Sequence, residues 1–149
     1  MTAGVYLEDD VSLESVMPLC QAVFGDDFSR TYLAERLDSM TDVSLIVAQV
    51  EDEPAGFKLG YRFSGAVYYS WLGGVVPSAR RMGLAGQLMA AQHEWAQANH
   101  YQQIETRVRS NNQAMLIVNL KAGFEVVGLD RGRGDTFNLL LRKDLGTLD

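Results

Sequence analysis

The chain has 149 residues, 47% of them apolar and 21% charged, with a net charge of −6. That length fits one domain over residues 1–149, large enough to bury a core without metals or disulfides, and the composition excludes a disordered chain. No apolar run approaches the ~18 residues of a membrane span, no basic stretch leads into an apolar one at the start, and the single Cys20 cannot form an internal disulfide. A cytoplasmic protein is expected, with Cys20 a buried thiol and neither nucleic acid nor membrane as partner.

Residues 4–7 read as a short strand. Ser12 then resembles a helix cap, with Leu13, Val16, Met17, Cys20 and Val23 at helical spacing and Gly25 as the break. A second helix, about 29–40, carries Tyr32, Leu33 and Leu37 on one face. Residues 44–50 form an apolar, β-branched strand. Turns at 51–54 and 64–65 lead into extended runs 55–63 and 66–76, an antiparallel meander ended by Pro77. Leu84, Leu88, Ala91, Trp95 and Ala98 mark an amphipathic helix of about fifteen residues. His93 and His100 fall off that stripe and read as surface residues. Residues 103–108 are extended, and Asn111 or Asn112 caps a helix that Gly123 terminates. Two strands, 124–128 and 136–141, flank a polar loop at 130–134 that reads as a solvated hairpin tip. The order β-α-α-β-β-β-α-β-α-β-β predicts an α/β fold with a mixed sheet, and a parallel crossover from residue 76 to residue 106.

Charge is uneven along this order. Residues 1–57 carry a balance of −10 and residues 58–149 one of +4. Either two surfaces of opposite preference result, or the early acids are simply solvated near caps and turns.

The stretch most informative about chemistry runs from Val75 to Met89. A buried strand enters a helix through a loop with two arginines (Arg80, Arg81) and two glycines (Gly83, Gly86). The first N–H groups of such a helix have no internal partner and lie at the positive end of its dipole, which suits a phosphate. The alternative is a glycine-punctuated turn with solvated arginines. The spacing is neither a P-loop nor a three-glycine dinucleotide fingerprint.

The segment resembles the GNAT superfamily of acetyl-CoA-dependent N-acetyltransferases. Its Gln/Arg-x-x-Gly-x-Gly/Ala signature is matched by Arg80-x-x-Gly83-x-Ala85. A Val-x-Pro strand end precedes it (Val75-Val76-Pro77), and Asn112-Gln113-Ala114 and Gly123-Phe124 follow in the family's order. The resemblance implies a sheet of six to seven strands, mostly antiparallel, with about four helices and a splayed parallel pair forming a slot. It further implies that Gly73, Gly74 and Val75 pair with the pantetheine arm, with the Val75 N–H also available to the oxyanion. The loop Arg80, Arg81, Met82, Gly83, Leu84, Ala85 and Gly86 cradles the pyrophosphate, and Asn112 meets the arm. Acetyl-CoA is the implied cosubstrate, without a metal, and a primary amine of a small molecule or peptide the implied acceptor. The chain would act as a monomer or homodimer. A non-catalytic acyl-CoA-binding protein of the same fold is the alternative.

Two positions depart from the family. Its thiolate-protonating Tyr falls on Asn119, an amide that donates a hydrogen bond but is no acid near neutral pH. Its glutamate positions hold Tyr69 and Arg107, leaving water near Tyr69, or acids from the N-terminal part, to take the amine's proton. Glu105, Arg107 and Arg109 share one strand face. That face is expected to open toward the acceptor, where Arg107, partnered by Glu105, either holds an anionic group or forms a rim ion pair.

Overall fold

The structure, a computed structural model, describes residues 2–131 and 134–146. Its elements are β1 (Ala3–Glu8), α1 (Leu13–Phe24), α2 (Arg30–Asp38), β2 (Ser44–Val50), β3 (Glu53–Ser64), β4 (Val67–Val75), α3 (Leu84–Ala98), β5 (Gln103–Arg109), α4 (Gln113–Lys121), β6 (Glu125–Arg131) and β7 (Phe137–Asp144). The seven strands form one sheet in the order β1-β2-β3-β4-β5-β7-β6, antiparallel except for the β4–β5 pair. Both the α/β class and the parallel crossover agree with the sequence. Strands β6 and β7 extend further than hydropathy suggested, so Asp130 and Arg131 belong to a strand, not a loop. Residues 132 and 133 of the expected hairpin tip lie outside the described residues. Among those described, no helix is long and apolar enough to cross a membrane.

Local chemistry explains the helix ends. Ser12 and Ser15 cap α1 reciprocally, the Ser12 hydroxyl accepting from the Ser15 N–H (3.2 Å) and the Ser15 hydroxyl from the Ser12 N–H (2.9 Å). The Ser29 hydroxyl accepts the Tyr32 N–H at the start of α2.

Strand parity then sorts the core onto two faces. Val16, Met17, Leu19 and Cys20 of α1 and Leu33 of α2 pack on Leu45, Val47, Phe57 and Leu59. Cys20 is fully buried there, and burial pushes its thiol up to about 11, so it is an inert core group. On the opposite face, Leu84 and Leu88 of α3 pack on Ile46, Ala48, Ala55 and Val75. Met89 and Ala96 of α3, with Met115 and Leu116 of α4, cover Tyr68, Ile104 and Leu141. Helices α1 and α2 therefore sit over the first half of the sheet, while α3 and α4 close the other side.

Candidate active site

The central strands part. Strand β4 pairs with β5 only at Val67↔Gln103, Tyr68↔Ile104 and Tyr69↔Glu105, and the Thr106 hydroxyl donating to the Ser70 carbonyl (2.9 Å) is the last tie. Beyond it β4 stays with β3, where Lys58, Phe57 and Gly56 oppose Gly73, Gly74 and Val75. Strand β5 instead follows β7 from Thr106↔Leu141 to Arg109↔Asn138. A bulge sits at the point of parting: Leu59 opposes Leu72 and Gly60 opposes Ser70, so Trp71 is the extra residue. Gly73–Gly74–Val75 thus presents one backbone edge without a strand partner, at the mouth of a V.

After β4, a 3-10 turn over Pro77–Ala79 leads through Arg80, Arg81 and Met82 to Gly83, the N-cap of α3. Gly83 has φ +78° and makes no side-chain cap, and the first bond closed is Gln87 N–H to the Gly83 carbonyl (3.2 Å). The N–H groups of Leu84, Ala85 and Gly86 are thus left at the positive end of the helix. A Cβ built on Gly83 or Gly86 would meet no atom within 4 Å, so the space before these amides is open. Ala79, Val75 and Leu84 share one cluster, which fixes this bare terminus beside the open end of the V. An extended amide-bearing arm that ends in a pyrophosphate fits both features. Arg81 adopts φ +66°. Arg80 turns back, its Nε donating to the Val75 carbonyl (3.3 Å).

The remaining sequence-selected residues lie around the slot. Asn112 is the N-cap of α4, its Oδ1 accepting the Met115 N–H (3.3 Å). Asn119 is buried, and its Nδ2 donates to the Met115 carbonyl one turn back (2.8 Å). Tyr69 is nearly buried on the face that carries α1 and α2. Its ring lies 5.4 Å from Tyr61 and beneath the guanidinium of Arg107 (5.8 Å). Burial raises the phenol's pKa, partly offset by Arg107, so Tyr69 is neutral at physiological pH.

The expected Arg107–Glu105 pair does not form. Arg107 Nε bonds Asp130 (3.3 Å), and Glu105 is held by Arg142, whose Nε donates at 2.8 Å. Glu105 and Arg142 are register partners across β5 and β7, whereas Arg107 lies two residues further along its strand. A second correction concerns His93. It is only 9% exposed, packs edge-on against Phe124 (5.5 Å) and lies 3.1 Å from Lys143 Nζ through Nδ1. Burial and the nearby lysines push it down to about 4, so it is neutral. Hydropathy also passed over Arg36, whose guanidinium lies over Trp71 (5.2 Å) and Tyr32 (5.8 Å).

The family description "Acetyltransferase (GNAT) domain" matches residues 18–109, more than half of the chain. The chain belongs to the GNAT acetyltransferases. Solved GNAT structures agree with its fold throughout. The ribosomal-protein-S18-alanine N-acetyltransferase from Escherichia coli superposes with a TM-score of 0.83 at 13% identity, covering 99% of this chain and 97% of that one. An IAA acetyltransferase from Bacillus cereus gives 0.77 at 15% identity over 95% and 99%. A GNAT family acetyltransferase from Elizabethkingia anophelis with acetyl-CoA bound gives 0.77 at 15% over 95% and 97%. No curated protein sequence matches significantly. As a GNAT member the chain is an acyltransferase, moving acetyl groups from acetyl-CoA. Among the described residues, no group of three or more His, Cys, Asp or Glu gathers as a metal site would require.

Proposed function

We propose that the chain, acting as one N-acetyltransferase domain, carries an acetyl group from acetyl-CoA directly to a primary amine of a small molecule or peptide. The observation that carries this reading is the splay of β4 from β5 beside a bare helix N-terminus. The pantetheine arm takes the open edge Gly73–Gly74–Val75 as a further strand would, and the Val75 carbonyl becomes available when Arg80 turns toward phosphate. The N–H groups of Leu84, Ala85 and Gly86 hold the pyrophosphate, with Arg81 and Met82 shaping the loop. Asn112 keeps an amide N–H free for the arm while its oxygen caps α4.

The acceptor approaches from the face of Tyr69, where the V opens away from α3. There Arg107, only partly neutralised by Asp130, offers a guanidinium to an anionic group of the acceptor. Glu105 keeps Arg142 in place beside it. Free amines of the lysine type have a pKa near ~10.4, so the acceptor must lose a proton before attack. Tyr69, a phenol there, orients the amine and the water that takes this proton.

Coenzyme A should raise the melting temperature, since a ligand bound only by the native state adds RT ln(1 + [L]/Kd). Acetyl-CoA with a panel of amines should then release free thiol. Stabilisation without thiol release for any amine would leave a binding protein and sink the transferase reading.

A further inference from the structure

Behind the slot lies a polar cluster that the mechanism above leaves unused. Lys58 interrupts the apolar run of β3 between Phe57 and Leu59 and points to the α3 side of the sheet. Its stem runs across β4 where Gly73 has no side chain. A Cβ built on Gly73 would lie 2.9 Å from Lys58 Cδ and 3.4 Å from Cε. The amine is therefore carried over Gly73 toward the open edge of β4. Among the described residues no carboxylate pairs with it. Beside it, Gln92 of α3 is fully buried with neither amide atom hydrogen-bonded. Gly60, two residues along β3, lets that amide approach: a Cβ there would sit 2.9 Å from Gln92 Nε2. The ionisable groups facing this cluster are His93 on α3, Lys143 on β7 and Tyr68 on β4. None of them is an anion at neutral pH. His93 is held neutral, and the Tyr68 phenol is raised by burial and hydrogen-bonded to Ser44.

We propose that Lys58 is the acid that protonates the departing coenzyme A thiolate. The inference rests on the acetyl-CoA reading of the slot, which lays the pantetheine arm along the edge Gly73–Gly74–Val75, beside the Lys58 stem. Asn119, at the position of the family's Tyr, commits one amide N–H to the Met115 carbonyl and has no proton to release near neutral pH. The ammonium of Lys58 is the cation whose stem already lies at Gly73. In the step, the acceptor nitrogen forms a bond to the acetyl carbon and the carbon–sulfur bond breaks. The nitrogen's proton passes to water, one Lys58 proton passes to sulfur, and solvent returns a proton to the neutral amine. Energetic matching supports the assignment: burial lowers the Lys58 pKa to about 8, close to the ~8.5 of a free thiol.

The test compares wild type with Lys58→Met, which keeps the stem, and Lys58→Arg, which keeps the charge but cannot titrate. Two readouts are taken: the thiolate ultraviolet absorbance of bound coenzyme A against pH, and thiol release with the most active amine of the panel. In wild type the bound thiol should titrate below its free value, and kcat should fall as pH rises through about 8. Lys58→Met should return the thiol to its free value or above and lower kcat about 100-fold, with coenzyme A affinity changed less than tenfold. Lys58→Arg should keep the thiol shift and lose the alkaline limb. A folded Lys58→Met protein with wild-type thiol titration and kcat would overturn the proposal. So would acetyl-Lys58 found by mass spectrometry as a turnover intermediate, since the amine would then be a nucleophile. Absence of coenzyme A binding by wild type would instead overturn the slot, and Lys58 with it. Both variants are checked for thermal melting, and Lys58→Gln serves if methionine does not fold.

Discussion

The two faces of the central strands hold polar groups in opposite ways. On the face that we propose meets the acceptor, Arg107–Asp130 and Arg142–Glu105 are ion pairs with half-exposed guanidiniums, and Arg36 stacks on Trp71. On the α3 face, Lys58, Gln92, His93 and Lys143 are drawn under a helix with no anion among them. Water screens the first set, so each pair contributes little to stability and remains free to exchange its partner for a substrate. Lys58 and His93 of the second set are desolvated, so their protonation states are bound to folding. On the proposed reading, one face recognises the acceptor and the other holds protons in fixed places.

The largest effect that tests this contrast is acid unfolding. His93 titrates at about 4 in the fold against 6.5 ordinarily, so between those values the unfolded chain binds more protons. Stability should therefore be full above pH 6.5 and fall as pH drops toward 4, by on the order of 3 kcal/mol from this residue. His93→Gln should flatten that limb of the melting-temperature profile. An unchanged limb would mean that His93 is solvated like the groups of the other face.

Next in size is the slot's mouth. Gly83→Val should weaken coenzyme A binding at least tenfold, about 1.4 kcal/mol, measured by calorimetric titration. It should also lower the melting temperature, because φ +78° strains a β-branched residue even though the space around it is open. Exposure alone would suggest a harmless substitution.

Asn119→Ala should cost about 1 kcal/mol of stability by removing the bond to the Met115 carbonyl, read by urea unfolding. Turnover should change far less than in Lys58→Met. A deeper loss of turnover than of stability would put Asn119 against the sulfur after all. Smallest in stability is Arg107→Ala, within ~0.5 kcal/mol, because its ion pair is exposed. Its signature should be kinetic, a raised KM for the acceptor and an unchanged KM for acetyl-CoA. A raised KM for acetyl-CoA alone would assign Arg107 to the cofactor side.

The loop from Arg80 to Gly86 was readable in the sequence because its requirements are local: a strand end, a proline, a left-handed glycine and a helix start within a dozen residues. His93 was misread for an instructive reason. The buried line of α3 runs Leu84, Leu88, Gln92, Ala96, with Met89 and His93 beside it. Hydropathy skips the polar members of that line and follows Ala91, Trp95 and Ala98 instead.

What the sequence determined by itself was the succession of elements and the glycine-bearing turn into α3, since periodicity, capping and backbone conformation act over a few residues. Which charges meet was decided only by tertiary structure. Strand β7 inserts between β5 and β6, and this order gives Glu105 to Arg142 and Arg107 to Asp130. The same assembly lays Lys58 across Gly73, fifteen positions away in the chain, on the side of the sheet that α3 covers. Ion pairing and desolvation depend on distances through space, and no local pattern of residues encodes them.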